Sequence, residues 1–355
     1  MSKLPKEMKA LVYHGPNDIR METVPTPKIK DPTDAIIRVT LSTICGTDIH
    51  IKSGGLPAVK PGTILGHEFC GEIVEVGSGV HNFKAGDKVA VNCVTHCGNC
   101  FYCLRGIFSQ CIKGSWIFGY QIDGCQAEYN RIPHADSGLE LIPEGLREED
   151  VLFIGDILST GLFGVENAEI EPGSTVAVFG CGPVGMCAMT CARLYGPSKI
   201  IAVDLNEHRL EVAKQQGIAD VTLNPLKVNA VNEIKNLTGG RGAGATIEAV
   251  GITPTFQASI DAVRPGGIVS IIGVFEQPQE LKMHELWIKN ITIKMGLVNA
   301  NHLPRLTDLI KAGKIDMNFL QTHRSPLNDI IKGYEVFEGQ KDNVLKWVVT
   351  PYEYK

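Results

Sequence analysis

No apolar run in the 355 residues approaches the ~18 that a helix needs to cross a bilayer, so the sequence gives no membrane-spanning helix. Positive charge is not in excess: 34 Lys and Arg stand against 39 Asp and Glu, a formal net charge of −5. Nothing is left over to neutralise a phosphate backbone, and nucleic acid is not an expected partner. Internal repeats, low-complexity tracts and long charge runs are missing as well, which excludes solenoid and tail-like architectures. The opening residues MSKLPKEMKALVYHG hold neither an apolar stretch nor a small-residue cleavage site. No secretion signal is therefore expected, and the expected compartment is cytoplasmic. Cysteine is too sparse for a disulfide scaffold, at 11 in 355 and an odd count, which points to reduced thiols and metal ligands.

What remains is ordinary globular material, 44% hydrophobic and 21% charged, long enough for two domains. Up to about residue 155 the pattern is short β-rich runs broken by Gly and Pro, such as DAIIRVTLSTIC and HEFCGEIVEVGSGV. From about residue 174 strand and helix alternate: STVAVF, then GCGPVG and MCAMTCARL, then KIIAVD and HRLEVAKQQG. The alternation continues through ADVTL, a helix over 228–237, ATIEAV, a helix over 255–263, GIVSIIGV and NITIKMGL. Repeated βα units imply an α/β fold with a doubly wound parallel sheet, because right-handed crossovers place helices on both faces. After residue 297 come helices over 304–312 and 328–337 and a closing strand over 344–349, too little for a domain of its own. This tail is expected to return to the first domain.

Gly180-Cys181-Gly182-Pro183-Val184-Gly185 fits G-x-G-x-x-G, and its context strengthens it. It follows a predicted strand, opens a predicted helix, and precedes Asp204 at the end of the next strand. Gly180 makes the turn, Gly182 admits a pyrophosphate, and Gly185 lets helix and strand approach. The helix start at Pro183 and Val184 then offers free N–H groups to phosphate. A structural glycine-rich turn is the alternative. Asp204 favours NAD, since its carboxylate accepts from the ribose hydroxyls and repels the extra phosphate of NADP. Arg209 either stacks near the adenine or stays solvated.

Cys97-x2-Cys100-x2-Cys103-x7-Cys111 places four thiols where one short loop wraps one ion. A closed S4 shell leaves no open position, so the pattern reads as a structural zinc, with an iron–sulfur cluster or disulfides as alternatives. Cys93, Cys125, Cys181, Cys187 and Cys191 read as small buried side chains. Cys45, in Cys45-Gly46-Thr47-Asp48-Ile49-His50, and His67, in Gly66-His67-Glu68, offer S and N ligands to a second, open metal site. A core cysteine and a satisfied histidine would read the same way.

Taken together, Cys45-Gly-Thr-Asp-x-His50, Gly66-His67-Glu68-Phe-x-Gly71, Gly86-Asp87-Lys88-Val89, the four-cysteine lobe and the glycine loop resemble the zinc-dependent medium-chain dehydrogenase/reductase family. The resemblance covers essentially the whole chain. It implies a GroES-like β-rich catalytic domain over 1–157 with its zinc lobe at 93–113, a Rossmann NAD-binding domain over 158–297, and a return over 298–355. It also implies two Zn2+ per subunit, one catalytic and one structural, and NAD as cofactor. Gly155-Asp156-Ile157-Leu158-Ser159-Thr160-Gly161 is similar to the Asp-containing segment of bacterial secondary-alcohol dehydrogenases, so the catalytic ligands implied are Cys45, His67 and Asp156.

In such enzymes an alcohol oxygen meets the metal and hydride passes to the nicotinamide. Thr47 matches the hydroxyl that bonds the alcohol oxygen, and His50 the histidine that relays the proton to solvent. Glu68 matches a carboxylate that approaches the metal transiently or supports the ligand shell, an inert surface residue being the alternative. Trp116, Ile117, Phe118 and Leu297 stand where they line a pocket or pack in a core, and Lys346 either reaches the cofactor diphosphate or lies on the surface. The expected substrate is a small, secondary alcohol and its ketone or aldehyde. Threonine, butanediol or polyol dehydrogenases and glutathione-independent formaldehyde dehydrogenases are the alternatives within the same chemistry. A non-enzymatic binding protein on the same fold stands further off. Family analogy implies a homotetramer.

Overall fold

The computed structural model describes residues 4–299 and 301–352. The chain divides into two compact units, one built from residues up to Asp156 together with those from Val298 onward, the other from Ile157–Leu297.

In the first unit short strands with one face on a core pair antiparallel, apart from His323–Pro326, which runs parallel to Trp347–Thr350. A seven-stranded sheet runs in the order His323–Pro326, Trp347–Thr350, Ala35–Thr43, Phe69–Val76, Lys88–Val91 and Leu139–Leu141, with Tyr129–Ile132 also paired to Ala35–Thr43. The tail enters this sheet directly: Val348 and Val349 pair with Thr43 and Ser42. The closing strand is Trp347–Thr350, shorter at its start than the run over 344–349 suggests. Val344 and Leu345 are instead buried in the turn before it, where the Leu345 N–H donates to Thr322 Oγ1. One core gathers Ile37, Val39, Phe69, Ile73, Val91 and Phe118, with Phe69 and Phe118 edge to face at 6.1 Å. Each such side chain stabilises the fold by about 1.5–3 kcal/mol through burial. Phe118 is therefore core packing and not a pocket wall.

The second unit holds a six-stranded, all-parallel sheet in the order Val221–Leu223, Lys199–Val203, Thr175–Phe179, Ala243–Glu248, Val263–Ile271, Thr292–Met295. Its inner strands are covered on both faces, which is why they read as continuous apolar runs. Strand order reverses between Thr175–Phe179 and Ala243–Glu248, and ligands of such sheets bind beyond the strand ends at that point. The helix expected over 255–263 spans Thr253–Ala262, with Pro254 in its first turn where no N–H is needed, and β-branched Val263 opens the next strand. Among the described residues no helix is long and apolar enough to cross a membrane.

Candidate metal centre and dinucleotide loop

Cys45 caps the helix Gly46–Ser53 from an extended backbone conformation. The cap forms because Asp48, three residues on, turns back and accepts the Cys45 backbone N–H at 2.9 Å. Gly54 closes the helix at φ +88°, a conformation that only glycine adopts without strain. His67 lies just before the strand Phe69–Val76, and Asp156 ends the first unit's leading segment. These three positions, distant in sequence, converge. Asp156 Oδ2 lies 3.5 Å from Cys45 Sγ and 3.4 Å from His67 Nε2, and the three donor atoms all fall within 4.8 Å of one another.

An ion with tetrahedral bonds of about 2.0–2.3 Å separates its donors by roughly 3.3–3.8 Å, so one thiol, one imidazole and one carboxylate at this spacing suit zinc. Electrostatics agrees with that fit. Burial raises the Cys45 thiol and Asp156 raises it further, so formation of the thiolate needs a cation at hand. Burial works against a charged His67, but Asp48, Cys45 and Asp156 outweigh it and raise the imidazole well above its ordinary range. The pocket attracts positive charge.

Asp156 is placed by close backbone packing. The Gly155 carbonyl accepts the Cys93 N–H at 2.9 Å, and a Cβ at Gly155 would stand 1.9 Å from the Val91 carbonyl oxygen. Thr47, in the first turn of its helix, brings Oγ1 to 3.9 Å from Cys45 Sγ, and half-buried His50 sits in the last turn of the same helix. Trp116 meets His67 edge to face at 5.5 Å and stacks on Tyr120 at 5.0 Å, an aromatic surface beside the donors.

Two of the alternatives left open for these residues fall away. Lys346 is not a surface cation: it is 1% exposed, donates to the Ile44 carbonyl at 3.0 Å and pairs with Glu68. Glu68, fully buried, is not an inert surface carboxylate either. Burial raises its carboxyl to about 7 against the pull of Lys346.

The sulfurs of Cys97, Cys100, Cys103 and Cys111 also lie within 4.8 Å of one another. Backbone N–H groups of Cys103 and Ile112 pull the Cys100 thiol down to about 6, and Cys111 Sγ accepts from the Cys97 and Lys113 N–H groups at 3.3 and 3.4 Å. Such N–H···S bonds favour thiolate, the form that binds metal. Cys93, Cys125, Cys181, Cys187 and Cys191 are buried side chains, as expected.

In the second unit, Gly180 turns at φ +101°, and a Cβ at Gly185 would stand 1.8 Å from the Gly180 carbonyl oxygen. The helix Pro183–Arg193 starts there, with Gly182 as its cap. Above Gly182 the space is open, the nearest atom to a Cβ being Arg209 Nη1 at 3.8 Å. Asp204 accepts the Cys181 N–H at 2.6 Å and the Asn206 N–H at 2.7 Å, which holds its carboxylate beside the loop. An open backbone cradle at a helix start with a carboxylate alongside fits a dinucleotide.

Residues 31–144 match the alcohol dehydrogenase GroES-like domain family and residues 183–312 the zinc-binding dehydrogenase family. An alcohol dehydrogenase of Cupriavidus necator is 40% identical over 365 residues, spanning 97% of this chain and 99% of that protein. The chain belongs to the zinc-dependent medium-chain dehydrogenase/reductase family. Among solved structures, zinc dependent alcohol dehydrogenase 2 from Streptococcus pneumonia, in its apo form, superposes with a TM-score of 0.93 at 44% identity, over 98% of this chain and 99% of that one. Alcohol dehydrogenase TADH from Thermus sp. ATN1 gives 0.91 at 34% identity, over 97% and 99%.

In this zinc-dependent dehydrogenase the residue that sequence reasoning passes over is Asp48. Fully buried, it lies 3.3 Å from His67 Nδ1, on the ring nitrogen opposite the one facing Asp156. A carboxylate behind a ligating histidine sets ring orientation and tautomer. The available signal is the cap itself: an acid three residues after a helix-starting residue turns back toward the cap, which here is Cys45.

Proposed function

We propose that this dehydrogenase is an NAD-dependent alcohol dehydrogenase that interconverts a small secondary alcohol and its ketone, with the aldehyde of a primary alcohol as a lesser product. The observation that carries the reading is the meeting of Cys45 Sγ, His67 Nε2 and Asp156 Oδ2 within 4.8 Å in a member of this family. We assign these as the catalytic zinc ligands, and Cys97, Cys100, Cys103 and Cys111 as ligands of a second, structural zinc. Zinc held at the first site supplies Lewis acidity toward an alcohol or carbonyl oxygen, and NAD supplies the hydride acceptor.

The chain's own residues bind, orient and move the proton. Thr47 Oγ1, on the Cys45 side of the site, is the hydroxyl that accepts the hydrogen bond of the substrate O–H and gives up its own hydrogen as it takes that one. His50, one helical turn on, passes that proton to solvent. Trp116 and Tyr120 present an aromatic surface that suits the carbon groups of a small alcohol better than a polyhydroxylated chain. The residues up to Asp156 with the returning tail form the catalytic domain, and Ile157–Leu297 binds NAD through Gly180, Gly182, Pro183, Val184, Gly185 and Asp204, with Arg209 beside the diphosphate.

Assembly as a homotetramer is supported by the sheet edge. Thr292–Met295 is an outer strand, and Met295, Trp287 and Ile288 near it are each about two-thirds exposed or more. Light scattering on purified protein tests the assembly. The function is tested by metal analysis combined with a panel of isopropanol, butanediol, sorbitol, threonine and formaldehyde, each with NAD and NADP. Two zinc ions per chain and fastest NADH formation from isopropanol are expected. Turnover undiminished after the first site has been emptied would overturn the reading.

A further inference from the structure

Behind His67 three buried side chains form a chain of polar contacts that ends in the tail of the protein. Asp48 Oδ1 faces His67 Nδ1 at 3.3 Å. Gln126 Nε2 donates to Asp48 Oδ2 at 3.2 Å and lies 3.4 Å from the Thr43 carbonyl oxygen. Tyr334, on the helix Ile330–Glu338, donates its hydroxyl to Gln126 Oε1 at 2.7 Å. Asp48, Gln126 and Tyr334 are all sealed from solvent.

Chemistry allows each link one direction. A carboxylate and a backbone carbonyl only accept, so the amide nitrogen of Gln126 must face Asp48 and Thr43. Its oxygen is thereby turned to Tyr334, whose hydroxyl must donate. At the other end Asp48 Oδ2 takes the Gln126 amide and the Cys45 N–H, while Oδ1 faces His67 Nδ1; an acceptor there calls for the hydrogen on Nδ1 and leaves the Nε2 lone pair for the side where Asp156 and Cys45 lie. Packing holds the arrangement in place. Gly66, directly before His67, sits at φ +91°, and a Cβ there would stand 2.6 Å from Gln126 Cγ. The Gln126 backbone is itself pinned, donating to the Leu65 carbonyl at 2.9 Å and accepting the Leu11 N–H at 2.8 Å.

We propose that Gln126 and Tyr334 are positioning residues: they fix the Asp48 carboxylate, and through it the tautomer and ring orientation of His67, and so tune the hold of the catalytic site on its metal. The inference rests on Cys45, His67 and Asp156 being the metal donors. Removing the Gln126 amide leaves the Cys45 N–H as the remaining hydrogen bond on Asp48 Oδ2 and loosens the carboxylate that faces Nδ1, and removing the Tyr334 hydroxyl loosens Gln126 in turn. Tyr334 therefore acts only through Gln126, which distinguishes a relay from two independent packing contacts.

The test is Zn2+ affinity by chelator competition and the optical spectrum of the Co2+-substituted protein, with Cys45→Ser isolating this site's signal from that of the cysteine lobe. Gln126→Leu should weaken Zn2+ binding about 10- to 100-fold and shift the cobalt bands. Tyr334→Phe should weaken it several-fold, and that effect should vanish in the Gln126→Leu background. Leu327→Ala, a cavity in the same core, should lower thermal stability and leave metal affinity alone. Wild-type affinity and spectrum in both relay variants would overturn the proposal, as would a full Tyr334→Phe effect in the double variant. Should Gln126→Leu fail to fold, unchanged Zn2+ affinity in Tyr334→Phe alone is enough to reject it. A wild-type cobalt spectrum identical to that of Cys45→Ser would instead bring down the metal assignment itself.

Discussion

Lys346 Nζ and the Glu68 carboxylate meet where water does not reach, their side chains 1% and 0% exposed, although 278 residues separate them along the chain. The pair joins the tail strand to the segment that carries His67. Burial alone would lower the Lys346 ammonium, but Glu68, Cys45 and Asp156 outweigh it and keep it charged. Removing one partner of such a pair leaves the other charge uncompensated, at a cost of about 3–5 kcal/mol, whereas replacing both with apolar groups is often near neutral. Lys346→Met should therefore destabilise by that amount in urea unfolding, and Lys346→Met with Glu68→Leu should recover most of it. Equal losses in the single and double variants would mean that the two residues are not coupled.

Gly155 has no room for a side chain. A methyl group there would have to displace either the Val91 carbonyl or the segment that ends in Asp156, and the Cys93 N–H bond to the Gly155 carbonyl resists the first. Displacements near 1 Å cost about 100-fold in rate when they move a reacting group. Gly155→Ala is expected to lower kcat/KM by at least about that factor and to reduce zinc from two per chain to one, with the cysteine lobe still loaded. Full activity with two zinc ions would show that Asp156 is not held in this way.

How much of this is legible in the sequence depends on how local each cause is. The parallel sheet of the second unit is plain from its apolar runs, because inner strands buried on both faces must be apolar. The glycine loop is plain because Gly180 and Gly185 satisfy a steric demand within six residues. Cys45 and His67 are visible as metal-ligand types, but their spacing alone reads equally as core packing, and Asp156 is marked only by the family resemblance of its segment. Asp48, Glu68, Gln126, Tyr334 and Lys346 are set by partners up to 302 positions apart in the chain's numbering and read in isolation as ordinary polar residues. Lys346 shows this best: a lysine in a closing strand looks solvent-facing until the strand it joins places a buried glutamate beside it.

The Arg147 guanidinium beside Asp150, with the Arg147 N–H and Asn318 Nδ2, holds the Asp150 carboxyl down at about 2. A carboxylate lowered on folding adds stability that is fully present above its unfolded pKa of about 3.9 and is lost as pH falls through the folded value. The group is part-exposed, so solvent screening leaves about 1 kcal/mol. Asp150→Asn should be about that much less stable than wild type at pH 7, with the difference shrinking between pH 4 and pH 2 in denaturant titrations. A difference that stays constant down to pH 2 would assign the effect to packing and not to charge.

Asp204 gives the cofactor preference its simplest physical test. Both oxygens accept loop N–H groups, from Cys181 and from Asn206, so the carboxylate cannot swing aside to admit a phosphate. A ribose diol can donate to its remaining lone pairs, whereas a 2′-phosphate would bring like charge against it. Asp204→Ala should raise KM for NAD, lower it for NADP, and erode the ratio of the two kcat/KM values about tenfold or more, which corresponds to ~1.4 kcal/mol of discrimination. Asp204→Asn, which keeps the shape and removes the charge, should relieve the NADP penalty while retaining part of the NAD binding. A wild-type enzyme that already prefers NADP, or an Asp204→Ala variant with an unchanged ratio, would place the discrimination elsewhere, and Arg209, with its guanidinium 3.8 Å from the Gly182 Cβ position, would be the next residue to replace.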